Sequence, residues 1–447
     1  MVKVSTLVRT AICALALVGA SAFAQTNPKD ALKQINEARA KVLADARESK
    51  KPLTIEIVNE SQKVAKDKAI ELTKDVDVAK IEPKDSYDWA QVFALASRDK
   101  DVCDLCHRYL MSNPAAAEKF TAQMLMMNSC NALGEADMLV MTLKDIQPVD
   151  SRGGQDLASR TSGAYINTIA KSKGVDAALK VLDDVMAKMP AQDHKAFAQQ
   201  QLALAKKREE TNPPATPPKS DEERLAMYEA SSKTMADTVT FGIVNKKSEL
   251  LREAGRKDEA TKILKDFVAK ADPKSPAARN ANATIAREGM IGNMAPALNM
   301  ERSYGDFKGL ESLKGKVVII DFFAHWCGPC KASYPDMRKM FDELHGKGLE
   351  IVGVTTYYGY YGRENAEKRD MPKDTEYAKM ADFIKEFNLA WPVVYGDRTN
   401  FENYGITGIP HVTVLDRNGK ARFFEIGYSP ALFKKFREEI EKMIAEK

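Results

Sequence analysis

Cys327 and Cys330, spaced Cys-Gly328-Pro329-Cys and preceded by Trp326, are the residues best placed to do chemistry. They follow the apolar run Val317-Val318-Ile319-Ile320-Asp321-Phe322-Phe323, which reads as a buried strand, and precede a helical stretch. A thiol at a helix N-terminus meets unpaired amide groups and the positive end of the helix dipole, which favour its thiolate. The thiolate is the nucleophile of disulfide exchange, and the second thiol lies about one helical turn on, close enough to resolve a mixed disulfide. The predicted chemistry is therefore dithiol/disulfide exchange.

Where such a dithiol works depends on the compartment. Lys3 and Arg9 precede a short apolar stretch over 10–20, and Ala22-Phe23-Ala24 fits a small-x-small cleavage site. Residues 1–24 thus read as an export signal, with the mature chain starting near Gln25. No later segment has the length of a membrane span, so the expectation is a soluble periplasmic or otherwise extracytoplasmic protein. Of six cysteines, Cys13 falls in the signal, and Cys103, Cys106 and Cys130 remain beside the pair. Cys103-Asp104-Leu105-Cys106-His107 matches the Cys-x-x-Cys-His pattern of covalent haem c attachment, which would make Cys103, Cys106 and His107 a cofactor site. The competing readings are a structural disulfide from Cys130 to Cys103 or Cys106, and free or relay thiols. No surrounding text suggests a cytochrome, and the expected cofactor is none beyond the redox-active dithiol itself. No zinc spacing, histidine cluster or phosphate loop is present, so no metal is expected. With 67 basic and 63 acidic residues, a net charge of +4 is too balanced to point to nucleic acid.

A chain of 447 residues has room for two or three domains. Residues 25–80 form a charged, helical or partly disordered lead-in, and 81–207 read as a helical repeat region. A Pro-rich linker occupies 208–222, helical hairpins 223–289, and strand and helix patterns alternate through 290–447 in the manner of an α/β domain. Helical stretches end at Asn113-Pro114, Gln147-Pro148, Met189-Pro190 and Asp272-Pro273, and several open with a glycine followed by an acid and alanine, as at Gly174 and Gly255. Turn glycine, amphipathic helix and closing proline resemble tetratricopeptide helical hairpins, although the signature Trp is missing. Such repeats imply a docking surface for protein partners.

Within 290–447, Leu313-Lys314-Gly315-Lys316-Val317-Val318, the stretch from Asp321 to Lys331, Gly408-Ile409-Pro410-His411 and Asp416-Arg417-Asn418-Gly419 resemble, in order and separation, the extracytoplasmic TlpA-like branch of the thioredoxin fold. The resemblance implies Cys327 as nucleophile, Cys330 as resolving thiol, Trp326 as the aromatic flank, and Pro410 as a cis-proline that leaves the backbone of Ile409 free to pair with substrate. It further implies that Asp321 is a buried acid exchanging a proton with Cys330. His325 is expected to be exposed and of small effect. Residues 355–374, with Tyr357-Tyr358-Gly359-Tyr360-Tyr361, depart from the family pattern and either flank the dithiol or pack on the surface.

The function these features imply is an exported thiol–disulfide oxidoreductase that reduces protein disulfides and is recharged by an upstream thiol donor, with the helical repeats docking partners. A thiol peroxidase is disfavoured because Ala324 stands where a peroxidatic site wants Thr or Ser. An inactive scaffold is disfavoured by the intact Cys327, Cys330, Asp321 and Pro410.

Overall fold

Capping and packing explain the element boundaries in the computed structural model, which describes residues 27–49, 54–214 and 216–446. The expected export signal and Cys13 lie outside the described residues. The chain divides into two units, residues 1–255 and 256–447.

The first unit is helical. Helices α1 (Pro28–Glu48) and α2 (Ile55–Thr73) start at Asn27 and Thr54, whose side chains accept amide hydrogens of the first turn. They pack through small residues, Ala31, Ala65 and Ala69 with Ile35, all buried in the unit's core. The part of the 25–80 lead-in described here is thus ordered helix built into that core. Then follow α3 (Ser86–Leu95), α4 (Asp99–Leu110), α5 (Ala116–Leu133), α6 (Ala136–Asp145), α7 (Ser151–Arg160), α8 (Ile166–Lys173), α9 (Val175–Ala187), α10 (His194–Thr211) and α11 (Asp221–Glu253). Gly134 terminates α5 at φ 76°, in the left-handed region that suits glycine. The Lys188 ammonium donates to the carbonyls of Leu143, Lys144 and Ile146 at the end of α6, where a cation complements the helix dipole.

Two expected boundaries move. The Pro-rich segment is shorter than 208–222, because α10 runs to Thr211 and a Ser220/Glu223 capping box starts α11 at Asp221. The hairpins expected over 223–289 are split. Helix α11 packs against α10, α9 and α7 in the first unit, while α12 (Lys257–Val268) and α13 (Pro276–Met290) belong to the second.

In the second unit a six-stranded sheet has the order β1-β4-β3-β2-β5-β6, formed by Arg302–Tyr304, Val317–Phe322, Leu349–Thr355, Val393–Tyr395, His411–Leu415 and Ala421–Ile426, numbered in chain order. Strands β2, β3 and β4 are mutually parallel, and β1, β5 and β6 join in antiparallel fashion. Helices α14 (Gly328–Leu344), α15 (Lys373–Glu386), α16 (Thr399–Asn403) and α17 (Pro430–Ala445) complete the unit. Strand β2 is buried on both faces. Val317 and Ile319 join a core with Tyr334, Phe383 and Phe436, and Val318, Ile320 and Phe322 join another with Met290 and Tyr404. This period of two sends Asp321 to the same face as Ile319. Strand β1 was not evident in the sequence, since three residues carry no alternation to read.

Candidate active site: a dithiol closing a buried strand

Strand β2 delivers the chain through Phe323 and Ala324, both fully buried, to Cys327, the N-cap of α14. Pro329 occupies the first turn, where a missing amide hydrogen costs nothing. Cys327 and Cys330 are joined by a disulfide with their Cα atoms 5.3 Å apart. The Cys330 amide donates to Cys327 Sγ at 3.2 Å, so the helix start directs an N–H at the sulfur that would bear charge. Cys330 is fully buried and Cys327 shows only 3% of its surface.

Asp321 lies six residues before Cys327 on β2. It is buried, and one carboxyl oxygen, Oδ2, has no hydrogen-bond partner among the described residues. Desolvation raises its pKa to about 7. Asp321 is paired with Val412 on β5, which is paired with Glu425 on β6. Both carboxylates line a cavity of about 30 Å³ together with Ser333, Pro410 and Tyr428, enough for one or two waters. The register that brings Glu425 to this cavity was legible only once the β5–β6 pairing was known.

The Ile409–Pro410 peptide bond is cis. Trp326 is 46% exposed and, with Ile409, Thr356, Tyr358 and Arg398, lines a groove of about 950 Å³. Helix α13 contributes Arg279, Asn280 and Ala283 to its far wall. It is held there by the Arg287 guanidinium, which donates to the Gly405 carbonyl. Gly405, at φ 64°, lies so close to Ala283 that a Cβ would collide with the Ala283 carbonyl. The site therefore uses a helix that the expected 290–447 boundary leaves outside the domain.

His325 departs from expectation. It is buried, stacked on Tyr361 at 4.9 Å and met edge-on by Tyr360 and Tyr358 at 5.1 and 5.7 Å. Its Nδ1 accepts from the Gly362 amide at 3.4 Å, and its Nε2 has no partner among the described residues. Burial, aided by the nearby Lys331 cation, lowers its pKa to about 4, so the imidazole is neutral at neutral pH. The tyrosine segment thus flanks the dithiol, and Tyr358 also contacts Trp326 at 5.4 Å. Glu376, fully buried on α15, anchors it by accepting the Tyr358 and Gly359 amides, each at 2.8 Å. A lone Glu in an amphipathic helix gave no sequence signal for this role.

The Cys-x-x-Cys-His stretch lies in the first unit. Cys106 is fully buried in the helical core, Cys103 faces Cys130 with 3.2 Å between sulfurs, and His107 is exposed. The three residues share one side of the helix but differ in exposure, from the fully buried Cys106 to the exposed His107.

Residues 291–424 match the AhpC/TSA family model. Thioredoxin-like protein YneN of Bacillus subtilis is 26% identical over 136 residues, covering 30% of this chain and 71% of the relative. Thiol-disulfide oxidoreductase ResA of Bacillus cereus is 28% identical over 131 residues, covering 29% of this chain and 66% of ResA. Among solved structures, the thioredoxin domain of a thiol-disulfide oxidoreductase from Bacteroides vulgatus is 25% identical, with 34% of this chain and 97% of that domain covered at a TM-score of 0.26. By the family match and these sequence relatives, residues 291–424 are similar to AhpC/TSA thioredoxin-like domains and to ResA-type thiol-disulfide oxidoreductases.

Proposed function

We propose that the protein is an exported thiol–disulfide oxidoreductase that reduces disulfides in polypeptide substrates. The observation that carries the reading is the Cys327–Cys330 disulfide at the N-terminus of α14. In the reduced protein, the Cys327 thiolate attacks one sulfur of the substrate disulfide. A mixed disulfide forms and the other substrate sulfur leaves as a thiolate, which takes a proton from solvent. Cys330 passes its proton to Asp321, whose raised pKa suits a group that must gain and lose a proton near neutrality. The Cys330 thiolate then attacks Cys327 Sγ, expels the second substrate sulfur as a thiolate that takes up a proton in turn, and restores the disulfide. A thiol donor must afterwards return two electrons.

The groove lined by Trp326 and Ile409 suits an extended segment whose backbone pairs with Ile409 beside cis-Pro410. Reduction is favoured over oxidation because the imidazole preceding Trp326 brings no positive charge to the dithiol at neutral pH. Strong oxidants of this kind stabilise their reduced thiolate, whereas His325 is held neutral. A peroxidase finds no support at Ala324, which is fully buried and brings no hydroxyl. The helical first unit is proposed to dock partners through tetratricopeptide-like hairpins, and the basic, apolar N-terminus is proposed to direct export.

The test is reduction of an insulin disulfide by the full-length protein in the presence of dithiothreitol, with thiol trapping. Cys327→Ser should abolish activity, and Cys330→Ser should accumulate a mixed disulfide through Cys327. Undiminished turnover by Cys327→Ser would sink the assignment.

A further inference from the structure

The mechanism leaves three thiols of the helical unit unused. Cys103, on α4, and Cys130, near the end of α5, are 27 residues apart in sequence, yet their sulfurs are 3.2 Å apart. Helices α4 and α5 pack along one another, so the contact belongs to a helical interface. Cys106, one turn beyond Cys103 on the same continuous helix, is fully buried and points into the core. Both cysteines of the close pair are free in this structure. Reaching the ~2.05 Å of a disulfide requires the two sulfurs to approach by roughly 1 Å.

We infer that Cys103 and Cys130 form a second thiol–disulfide site, separate from Cys327 and Cys330, that is oxidised by low-molecular-weight disulfides and staples α4 to α5. Accessibility sets the order of events. Cys103 is partly exposed and Cys130 almost wholly buried, so the oxidant meets Cys103 first. Cys103 Sγ attacks one sulfur of the small disulfide, giving a mixed disulfide and releasing one thiol. Cys130 then attacks Cys103 Sγ, the Cys103–Cys130 bond forms, and the second thiol leaves. Two protein thiols are oxidised, one small disulfide is reduced to two thiols, and the two protons pass to the released sulfurs. Once Cys103 carries the mixed disulfide, the Cys130 sulfur is already beside it, since the two sulfurs lie 3.2 Å apart in the reduced pair. The same pairing withdraws Cys103 from any thioether to haem.

The full-length chain carrying Cys327→Ser and Cys330→Ser, which removes the other dithiol, is equilibrated with oxidised glutathione, alkylated and peptide-mapped. The expected result is a Cys103–Cys130 linked peptide, loss of two alkylatable thiols and Cys106 left free. Melting of the helical unit should rise by about 10 °C on oxidation, as for closure of a loop of this length in a unit of this size. Adding Cys130→Ala or, separately, Cys103→Ala should abolish the dithiothreitol-sensitive increment, with helical circular dichroism retained to show that the variant folds. A stable glutathione adduct on Cys103, a Cys103–Cys106 link, or a melting temperature indifferent to oxidant would overturn the inference.

Discussion

At the scale of the residue, two buried titratable groups beside the dithiol give stability opposite dependences on pH. Asp321 has its pKa raised to about 7, so between about pH 4 and 7 the folded state holds a proton that the unfolded state has lost. Stability therefore falls as pH rises through that window, by up to roughly 4 kcal/mol. Asp321→Asn should raise stability more at pH 8 than at pH 5, read by urea titration at both pH values. It should also slow the Cys330 step by roughly 100-fold and remove the rise of that rate through neutral pH, measured by stopped-flow on the mixed disulfide. His325 acts in the opposite sense. Its pKa is lowered to about 4, so below about pH 6.5 the unfolded state binds the extra proton and stability falls on acidification. His325→Phe should flatten that acid limb in the same titration. Cys327 and Cys330 were legible in sequence from their spacing at a strand–helix junction, whereas Asp321 and Pro410 were named only through the resemblance to the thioredoxin fold. The burial of His325 was not legible, because it is imposed by a segment some 35 residues away in sequence.

At the scale of the element, the strand–helix junction and the β5–β6 hairpin were readable from periodicity and from Asn418-Gly419, whose glycine sits at φ 81°. The helix-ending prolines likewise marked the ends of α4, α6, α9 and α12. What could not be read was what holds the tyrosine segment, since a carboxylate accepting two backbone amides leaves no trace in composition. Removing it leaves two amides without their acceptor. Glu376→Ala should therefore destabilise the second unit by about 2–4 kcal/mol, and limited proteolysis should begin within residues 356–372. Unchanged cleavage there would show that the ring contacts around His325 suffice to hold the segment.

For the whole molecule, the boundary that matters lies after Gly255, well upstream of the change in sequence period near Met290. Strand alternation cannot reveal that a helix walls a groove, so α13 read as one more repeat helix. A fragment spanning 256–447 should retain the disulfide-exchange activity of the full chain. One starting at 290 loses the groove wall and the Arg287–Gly405 bond. Its kcat/KM for a polypeptide substrate should fall by 10-fold or more, with a smaller change for a small disulfide. Steady-state kinetics on both substrates separate the lost wall from general damage.

The cavity behind the disulfide and the groove before it share no lining residue. Under the proposed function, a polypeptide filling the groove would leave the cavity beside Asp321 uncovered. Electrons and protons would then have separate doors, one beside Trp326 and the other toward Glu425, and the buried acid would be recharged from solvent while the substrate is still in place.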